Sequence, residues 1–238
     1  MSDLFNNKVV RRCLRIVRRF LKQVLPVKKH AAISHWVEVR IGGENELIFL
    51  SKIGPNKGTA LDIGANEGLF SHALSKHYDK VIAFEINPDL SKNLKIFDIP
   101  RLEVIEKGLS SKQGELTLYI PVQDGRELVG WASVEKNNLP DAAKVIEKKV
   151  DVITLDSLHL TNVTFIKMDV EGHELEVLKG AEQTLRQNRP ILLVEVLEES
   201  RTAVFAFLAS LGYRQTTLKE HIGIEGSEIN FIFLPTKL

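Results

Sequence analysis

The sequence predicts a doubly wound α/β fold whose sheet is mostly parallel, with one antiparallel strand near the C-terminus. From residue 59 onward, short continuous apolar runs alternate with stretches of helical periodicity, a pattern typical of strands that helices cover on both faces. A turn with two glycines joins the first apolar run to the helical stretch after it. The last two strands have no helical stretch between them, only Gly223 and Gly226, which predicts that they are antiparallel.

The predicted elements follow in a regular order along residues 59–238. The main sheet takes strands at residues 59–63, 80–85, 102–105, 164–169, 191–195, 213–218 and 228–234. Helices are expected at residues 69–74, 88–94, 174–186 and 201–211. An insertion, residues 110–160, carries further strands at 115–120 and 149–154, and the polar stretch 121–148 between them is expected to be a loop with a helical turn.

Composition excludes several classes of protein. The chain has 238 residues, of which 44% are hydrophobic and 26% are charged, as in ordinary globular domains and unlike disordered or collagen-like chains. Nowhere do eighteen apolar residues run together, so no transmembrane span is expected. The single cysteine, Cys13, cannot form an internal disulfide, which indicates a reducing compartment, the cytoplasm.

The N-terminal residues 1–29 form a basic arm. They hold nine Lys or Arg and one acid, a net charge of +8, whereas the other 23 basic and 30 acidic residues give −7. Apolar residues recur every three to four positions from Val9 to Leu25, which predicts an amphipathic helix of about four turns that ends before Pro26. Arginines interrupt the apolar stretch throughout, so it is not a secretory signal. Residues 30–58 are expected to connect the arm to the body.

Three interpretations of the arm remain open. In the first, the arm packs on its own domain or on a partner subunit, and packing on a partner would imply a homo-oligomer. In the second, residues 8–25 lie on an anionic membrane, at the inner face of that membrane. Nucleic-acid binding is the least favoured, because the acidic body would repel a polyanion and no aromatic residues interleave with the basic ones.

The turn at residues 61–68, Leu-Asp-Ile-Gly-Ala-Asn-Glu-Gly, is the most informative stretch. It is not Gly-x-Gly-x-x-Gly, and no Gly-Lys-Ser/Thr follows, which disfavours a phosphate-binding loop. The acid within it, Asp62, suits a cationic ligand such as S-adenosylmethionine, whose amino-acid part it could hold directly or through water. Glu85 ends the next strand, where a carboxylate can accept both hydroxyls of a ribose or can simply be solvated.

Together with these stretches, several others carry a resemblance to a known family. They are Ala-Phe-Glu-Ile-Asn-Pro at 83–88, Gly-Trp-Ala-Ser at 130–133, Phe-Ile-Lys-Met-Asp-Val-Glu-Gly-His-Glu at 165–174 and Val-Leu-Lys-Gly-Ala at 177–181. Over about residues 59–196 the chain resembles the FkbM family of S-adenosylmethionine-dependent methyltransferases. The resemblance implies a Rossmann-like class I methyltransferase sheet and O-methylation of a hydroxyl, commonly of a sugar or polyketide in a glycan, glycolipid or natural product.

Cofactor residues are expected along three strand ends. Adenine should lie near residues 106–108. The candidate residues for S-adenosylmethionine binding are Asp62, Gly64, Ala65, Asn66, Gly68, Glu85, Ile86, Glu106, Lys107 and Asp169.

Carboxylates are expected to meet over the sheet, because Asp169 and Glu195 end neighbouring parallel strands. Asp169 is the first candidate for the general base or for orienting the acceptor, followed by Glu195 and then His173. Mg²⁺ held by Asp169 and Glu195 is an alternative. A base without metal is preferred, because no third carboxylate adjoins Glu195 in its strand. Lys167 is expected to pair with an acid.

Other activities fit less well. Methyltransferases of nucleic-acid bases usually carry Asn/Asp-Pro-Pro-aromatic where this chain has Asp-Val-Glu-Gly at 169–172, so a nucleic-acid substrate is not expected. In the insertion, Trp131 and Ser133 could close over a sugar or glycolipid acceptor, or Trp131 could cover its own core. The alternative to an enzyme is a non-catalytic module of this fold that docks on membranes or assembles subunits. The intact Asp62 and Glu85 argue against it.

Overall fold

The computed structural model describes residues 16–17, 20–41, 43–139 and 144–236. Its strands are β1 Thr59–Ile63, β2 Lys80–Phe84, β3 Leu102–Ile105, β4 Gly108–Leu109, β5 Gly114–Gln123, β6 Arg126–Glu127, β7 Lys144–Ile153, β8 Val163–Met168, β9 Ile191–Glu195, β10 Tyr213–Thr216 and β11 Asn230–Pro235. Its helices are α1 His30–Ile41, α2 Asn45–Ile48, α3 Leu50–Ile53, α4 Leu69–Leu74, α5 Pro88–Ile96, α6 Glu174–Lys179, α7 Glu182–Asn188, α8 Glu198–Ser210 and α9 Leu218–Ile222.

The main sheet confirms the predicted fold class. Its seven strands lie in the order β10-β11-β9-β8-β1-β2-β3. The pairs from β9 to β3 are parallel, and β11 is antiparallel to both of its neighbours, β9 and β10. This is the doubly wound sheet of class I methyltransferases, whose chain reversal next to β1 opens a crevice at the carboxyl ends of the strands.

Both faces of the sheet are buried, which explains the continuous apolar runs. On one face, Leu61 and Ile63 of β1 join a core with Leu178 of α6, Leu185 of α7 and Leu208 of α8. On the other face, Ala60 packs in a second core whose helical members come from α2, α3, α4 and α9. Because successive side chains of a strand point to opposite faces, every residue of β1 must be apolar or find a buried partner.

The prediction of one continuous helix at residues 174–186 is wrong, because the structure has two helices there: α6 ends at Lys179 and α7 begins at Glu182. Gly180 lies in the break. A Cβ at this position would stand 2.1 Å from the backbone oxygen of Ser110, at the start of the insertion. The break therefore lets the chain pass against the backbone of another segment, a contact that helical periodicity does not report.

We expect Gly180→Ala to lower the free energy of unfolding by about 2–3 kcal/mol, because a backbone oxygen cannot move away as a flexible side chain can. Gly114→Ala is the matched control, because a Cβ there meets nothing within 4 Å. Urea unfolding of both variants would measure the difference. Equal midpoints for the two variants would contradict this account of the break.

Only part of the polar stretch 121–148 is a loop, whereas a loop was predicted over its whole length. Strand β5 continues to Gln123 and β7 begins at Lys144, and these two strands pair antiparallel in a second sheet of order β4-β7-β5-β6. Two 3₁₀ turns, Val129–Trp131 and Lys136–Asn138, lie between them. Charged side chains on the exposed face of β5 and β7 make the apolar–polar alternation hard to see in the sequence, so both strands were predicted too short.

A short helix, α9, lies between the last two strands, where only a glycine-containing connection was expected. Thr217 caps it: the hydroxyl accepts the N–H of Glu220, and the Glu220 carboxylate accepts the N–H of Thr217. This capping box starts a helix of five residues, which is too short for periodicity to detect. The predicted antiparallel pairing of β10 and β11 is nevertheless confirmed.

Residues 16–58, as far as they are described, are largely helical. Residues 16–17 and 20–24 are helical, and the rest of the predicted arm helix lies outside the described residues. Residues 30–58, expected only to connect, contain α1, α2 and α3, and α1 packs against α4. Within the described residues, no helix has both the length and the apolar content needed to cross a membrane.

Candidate active site

A cleft made of two adjoining cavities opens at the carboxyl ends of β1, β2 and β8. The smaller cavity, about 80 Å³, extends towards Glu85 and Lys107, and the larger, about 310 Å³, extends towards Ser34 and Lys167. Both are lined by Gly64, Asn66, Val129, Gly130 and Asp169. The crevice beside the reversal in strand order is where open α/β sheets bind ligands.

Glu85 is the fixed acid of the smaller cavity. One carboxylate oxygen accepts the N–H of Asn66 at 2.6 Å and the other accepts the N–H of Asn87 at 2.7 Å. The side chain is 5% exposed, and burial raises its pKa to about 7. Each carboxylate oxygen retains a lone pair for a further donor, so a diol beside Glu85 would find two aligned acceptors.

The rest of the smaller cavity is mostly apolar. Ile86, Leu90, Leu118 and Val129 contribute to its wall, with Lys107 at one side. Such a slot suits a flat ring next to the acceptors of Glu85. Glu106, the other candidate at this strand end, is not among the described residues that line it: its carboxylate accepts the Ser91 hydroxyl at 3.0 Å and pairs with Lys95 at 2.8 Å.

The glycines of the turn have different structural roles. Gly64 has a φ of +79°, and a Cβ there would stand 1.8 Å from the backbone oxygen of Asp169, so the turns after β1 and β8 can meet only at a glycine. Gly68, with a φ of +76°, opens α4 and would touch Leu94 of α5. Gly68 is thus a contact between helices, and it is absent from the described lining of both cavities.

Asp62 is the buried acid of the larger cavity, which Ala65 also lines. One carboxylate oxygen of Asp62 accepts the hydroxyl of Ser71 at 2.5 Å. The other oxygen is buried and has no hydrogen-bond partner among the described residues. Burial raises the pKa of this fully enclosed carboxyl. A buried acceptor without a partner beside a cavity is ready for a donor from a ligand.

Three carboxylates meet over the sheet, as predicted for Asp169 and Glu195. Asp169, Glu171 and Glu195 each present an oxygen within 4.8 Å of the other two. Glu171, which the sequence places within one turn after Asp169, reaches the cluster from the turn after β8, where its φ is +50°, and not from the end of a strand. The prediction for Lys167 is confirmed: its ammonium lies 2.9 Å from an Asp169 oxygen.

Crowding of these carboxylates favours protonation. Burial, followed by the charge of Asp169, raises the pKa of Glu171 to about 8 and that of Glu195 to about 7. The cluster can therefore hold a proton at neutral pH. Three oxygen donors this close are also a ligand set that a hard cation accepts.

We expect Glu171→Gln to become more stable than the parent protein as the pH rises. The folded-state pKa of Glu171, about 8, exceeds its ordinary 4.5, so its proton stabilises the folded form fully below 4.5, and this contribution is lost by about pH 8. The neutral amide avoids that loss. Because Glu171 keeps some contact with water, the gain at pH 9 should be about 1–2 kcal/mol, with little difference at pH 5. Denaturant unfolding at both pH values would measure it, and an equal effect at both would contradict the proposed charge repulsion.

His173 is held on both ring nitrogens. Nε2 lies 3.0 Å from the Ser110 hydroxyl and Nδ1 lies 2.7 Å from a Glu135 oxygen, and the side chain is buried. It lines the smaller cavity while tying α6 to the insertion. Since both nitrogens already have partners, this geometry favours a structural role for His173 over that of general base.

The insertion closes one wall of the cleft through Ser133, as the sequence suggested. The buried Ser133 hydroxyl donates to the carbonyl of Glu171 at 2.7 Å and lines the smaller cavity. Trp131, by contrast, is 55% exposed and stands outside the described lining of both cavities. The described positions of Gly130 and Ser133 thus shape the cleft, and the indole does not.

Two residues that line the larger cavity come from residues 30–58, before the first strand. Ser34 of α1 and Glu44 before α2 line the larger cavity. The Ser34 hydroxyl is buried and has no hydrogen-bond partner in the described part of the chain. No motif indicated either residue, because they lie at least 18 positions before Asp62 in the sequence.

Comparison with known proteins agrees with this fold. The methyltransferase FkbM domain matches residues 62–215. Methyltransferase sdnD of Sordaria araneosa is 30% identical over 195 residues, which cover 67% of this chain and 74% of that protein. Methyltransferase 1 of Beauveria bassiana (strain ARSEF 2860) is 25% identical over 148 residues, or 53% of this chain and 59% of that protein.

A solved structure shares the fold. The crystal structure of methyltransferase FkbM from Methylobacillus flagellatus KT matches with a TM-score of 0.51 at 15% identity, over 97% of this chain and 60% of the solved chain. This chain therefore spans about three fifths of the length of that protein. Since the family domain takes in more than half of the sequence, from Asp62 to the start of β10, the chain belongs to the FkbM family of methyltransferases.

Proposed function

We propose that the protein is an S-adenosylmethionine-dependent O-methyltransferase that acts on a sugar hydroxyl in a glycan, glycolipid or natural product. The observation that carries the proposal is the junction of the two cavities at Gly64 and Asp169. A fixed diol acceptor, Glu85, lines the smaller cavity together with Glu171 of the carboxylate cluster, and Asp169 of the same cluster lines both cavities.

The residues present fit S-adenosylmethionine. Glu85 would accept the ribose hydroxyls, Ile86 and Lys107 would flank the adenine, and the unpartnered oxygen of Asp62 would face the amino-acid part. The smaller and larger cavities together exceed 300 Å³, the lower end of the range for ligand sites of this size. When bound, this cofactor supplies an electrophilic methyl group.

The carboxylates support proton removal from a hydroxyl. Asp169 lines both cavities, so it is the residue to which we assign the proton of the acceptor. Lys167 orients its carboxylate through the 2.9 Å ion pair. Glu195, whose pKa is raised to about 7, is about half ionised at neutral pH and can share that proton, whereas Glu171, with a pKa of about 8, already holds one.

The acceptor is assigned a hydroxyl because the cluster consists of bases. A hydroxyl must lose its proton on methylation, and carboxylates with raised pKa values are suited to receive it. The family resemblance adds that such hydroxyls commonly belong to sugars. The turn after β8 does supply a third carboxylate, Glu171, beside Glu195. We still favour a metal-free base, because the ammonium of Lys167 already lies 2.9 Å from Asp169 and occupies the place of a cation there.

Calorimetric titration with S-adenosylmethionine and S-adenosylhomocysteine tests the first half of the proposal. Micromolar or tighter binding of both is expected, and no binding of either would favour the non-catalytic alternative. A methyl-transfer screen over sugar nucleotides and lipid-linked glycans, with and without a chelator, tests the second half. Transfer to amines alone would overturn the assignment to hydroxyls, and a loss of activity with the chelator would assign the carboxylate cluster to a divalent cation.

A further inference from the structure

We propose that the described residues 16–17 and 20–29 form a docking surface for anionic membranes. The proposal concerns a face of the molecule opposite the contacts that hold this segment to the body, and it does not depend on methyl transfer. Three observations carry it: an outward apolar stripe, ion pairs that fix the orientation of the segment, and the charge of the N-terminal sequence.

The stripe consists of large apolar side chains in contact with water. Ile16, Phe20 and Val24 recur every fourth residue, on one side of a helix, and are 61%, 59% and 57% exposed. Leu25 and Val27 continue it and are also exposed. Of the ten large apolar side chains that are exposed in the described part of the chain, eight lie between residues 16 and 39. Such clustering marks an interaction surface, whereas single exposed apolar residues are ordinary.

Ion pairs turn the other side of the segment towards the body. Lys22 lies 2.7 Å from Glu67, in the turn after β1, and Lys29 lies 2.7 Å from Asp98, after α5. His30 packs near the ring of Phe97. The stripe therefore faces away from the protein, where an apolar face is favourable only if something covers it.

Charge selects an anionic membrane over a second copy of the chain. Residues 1–29 carry a net charge of +8, which a surface of acidic lipids attracts. A symmetric dimer through the same stripe would bring two such segments together, and like charges would oppose it. Since Lys22 and Lys29 pair with acids of the body, the other seven basic residues of 1–29 supply this attraction, in a sequence with the apolar and basic composition of helices that lie in the membrane interface.

Vesicle flotation of the full chain tests the proposal. We expect binding to vesicles of phosphatidylcholine with phosphatidylglycerol, weak binding to phosphatidylcholine alone, and release in high salt. Phe20→Glu with Val24→Glu should lower the bound-to-free ratio at least about tenfold, because two charges enter the apolar face. Ala203→Glu with Ala206→Glu, two exposed positions of α8, is the control with the same change of charge and should bind nearly as the parent does.

Two results would overturn the proposal. One is a parent protein that stays unbound with phosphatidylglycerol vesicles, and the other is a Phe20/Val24 variant that binds as the parent does. Light scattering in solution tests the competing occupant, a second copy of the chain. If the parent protein is a dimer that does not bind vesicles, and the Phe20/Val24 variant is a monomer, the stripe is a dimer interface. Binding of S-adenosylhomocysteine and the thermal unfolding temperature, measured on every variant, would show that the body remains folded.

Discussion

Glu85→Gln is expected to weaken binding of S-adenosylhomocysteine by about 10²-fold or more. The carboxylate is positioned by two backbone N–H groups and presents its remaining lone pairs to the smaller cavity. An amide offers one acceptor instead of two and turns an NH₂ group towards a backbone N–H. Losing charge-assisted hydrogen bonds at about 1.5–3 kcal/mol each gives an effect of this size.

The same residue predicts a pH dependence of affinity. Burial raises the pKa of Glu85 to about 7 in the free protein, and hydroxyl donors favour its ionised form. The affinity of the parent protein for S-adenosylhomocysteine should therefore fall by up to about tenfold for each pH unit below 7, while that of Glu85→Gln should change little over the same range.

Glu106→Gln provides the matched control for these measurements. It makes the same chemical change one strand away, at a carboxylate that pairs with Lys95 outside the cavity lining. Calorimetry should give this variant nearly the parent affinity. If Glu85→Gln binds S-adenosylhomocysteine as tightly as Glu106→Gln does, the cofactor does not use the smaller cavity in the way proposed.

Asp169→Asn is expected to lower kcat by about 10²–10⁴-fold with an acceptor identified in the screen, while the affinity for S-adenosylhomocysteine changes only a few-fold. An amide cannot take up the proton of a hydroxyl, and this range is that of a positioned general base. Single-turnover methyl transfer and calorimetry on the same preparation would separate the two effects. A normal kcat would show that the base lies elsewhere.

A loss of activity in Asp169→Asn could also come from an unpaired buried cation. The ammonium of Lys167 is 5% exposed and relies on Asp169, with the cation–π contact to Phe70 as a further partner. Lys167→Met in the Asp169→Asn background removes that ammonium. The double variant should regain about 1–3 kcal/mol of stability and remain inactive. Recovery of activity together with stability would make Asp169 a positioning residue for the fold and not the base.

Much of the fold was predictable, because buried strands need apolar residues wherever they lie. Strands β1, β3 and β9 begin and end where the apolar runs do, and the antiparallel insertion of β11 followed from the connection before it. The failures have different causes: charged side chains hide the alternation in the insertion, α9 is too short for periodicity to detect, and the break between α6 and α7 depends on a distant contact. Gly180 is a glycine because of the Ser110 backbone, and helical periodicity contains no information about that distant contact.

The residues of the site also fall into two groups, those that the sheet topology predicts and those that it does not. Asp62, Glu85, Asp169 and Glu195 end strands of the sheet, so topology alone placed them at one edge. Ser34 and Glu44 reach the cleft through the packing of α1 on α4, which no local pattern indicates. Cleft residues at strand ends can thus be read from motifs, whereas Ser34 and Glu44 depend on tertiary packing.

Ser34 and Glu44 have a practical consequence, because both precede the segment that matches the family domain, residues 62–215. An expression fragment trimmed to that domain would lose one side of the chamber and leave the sheet open to solvent there.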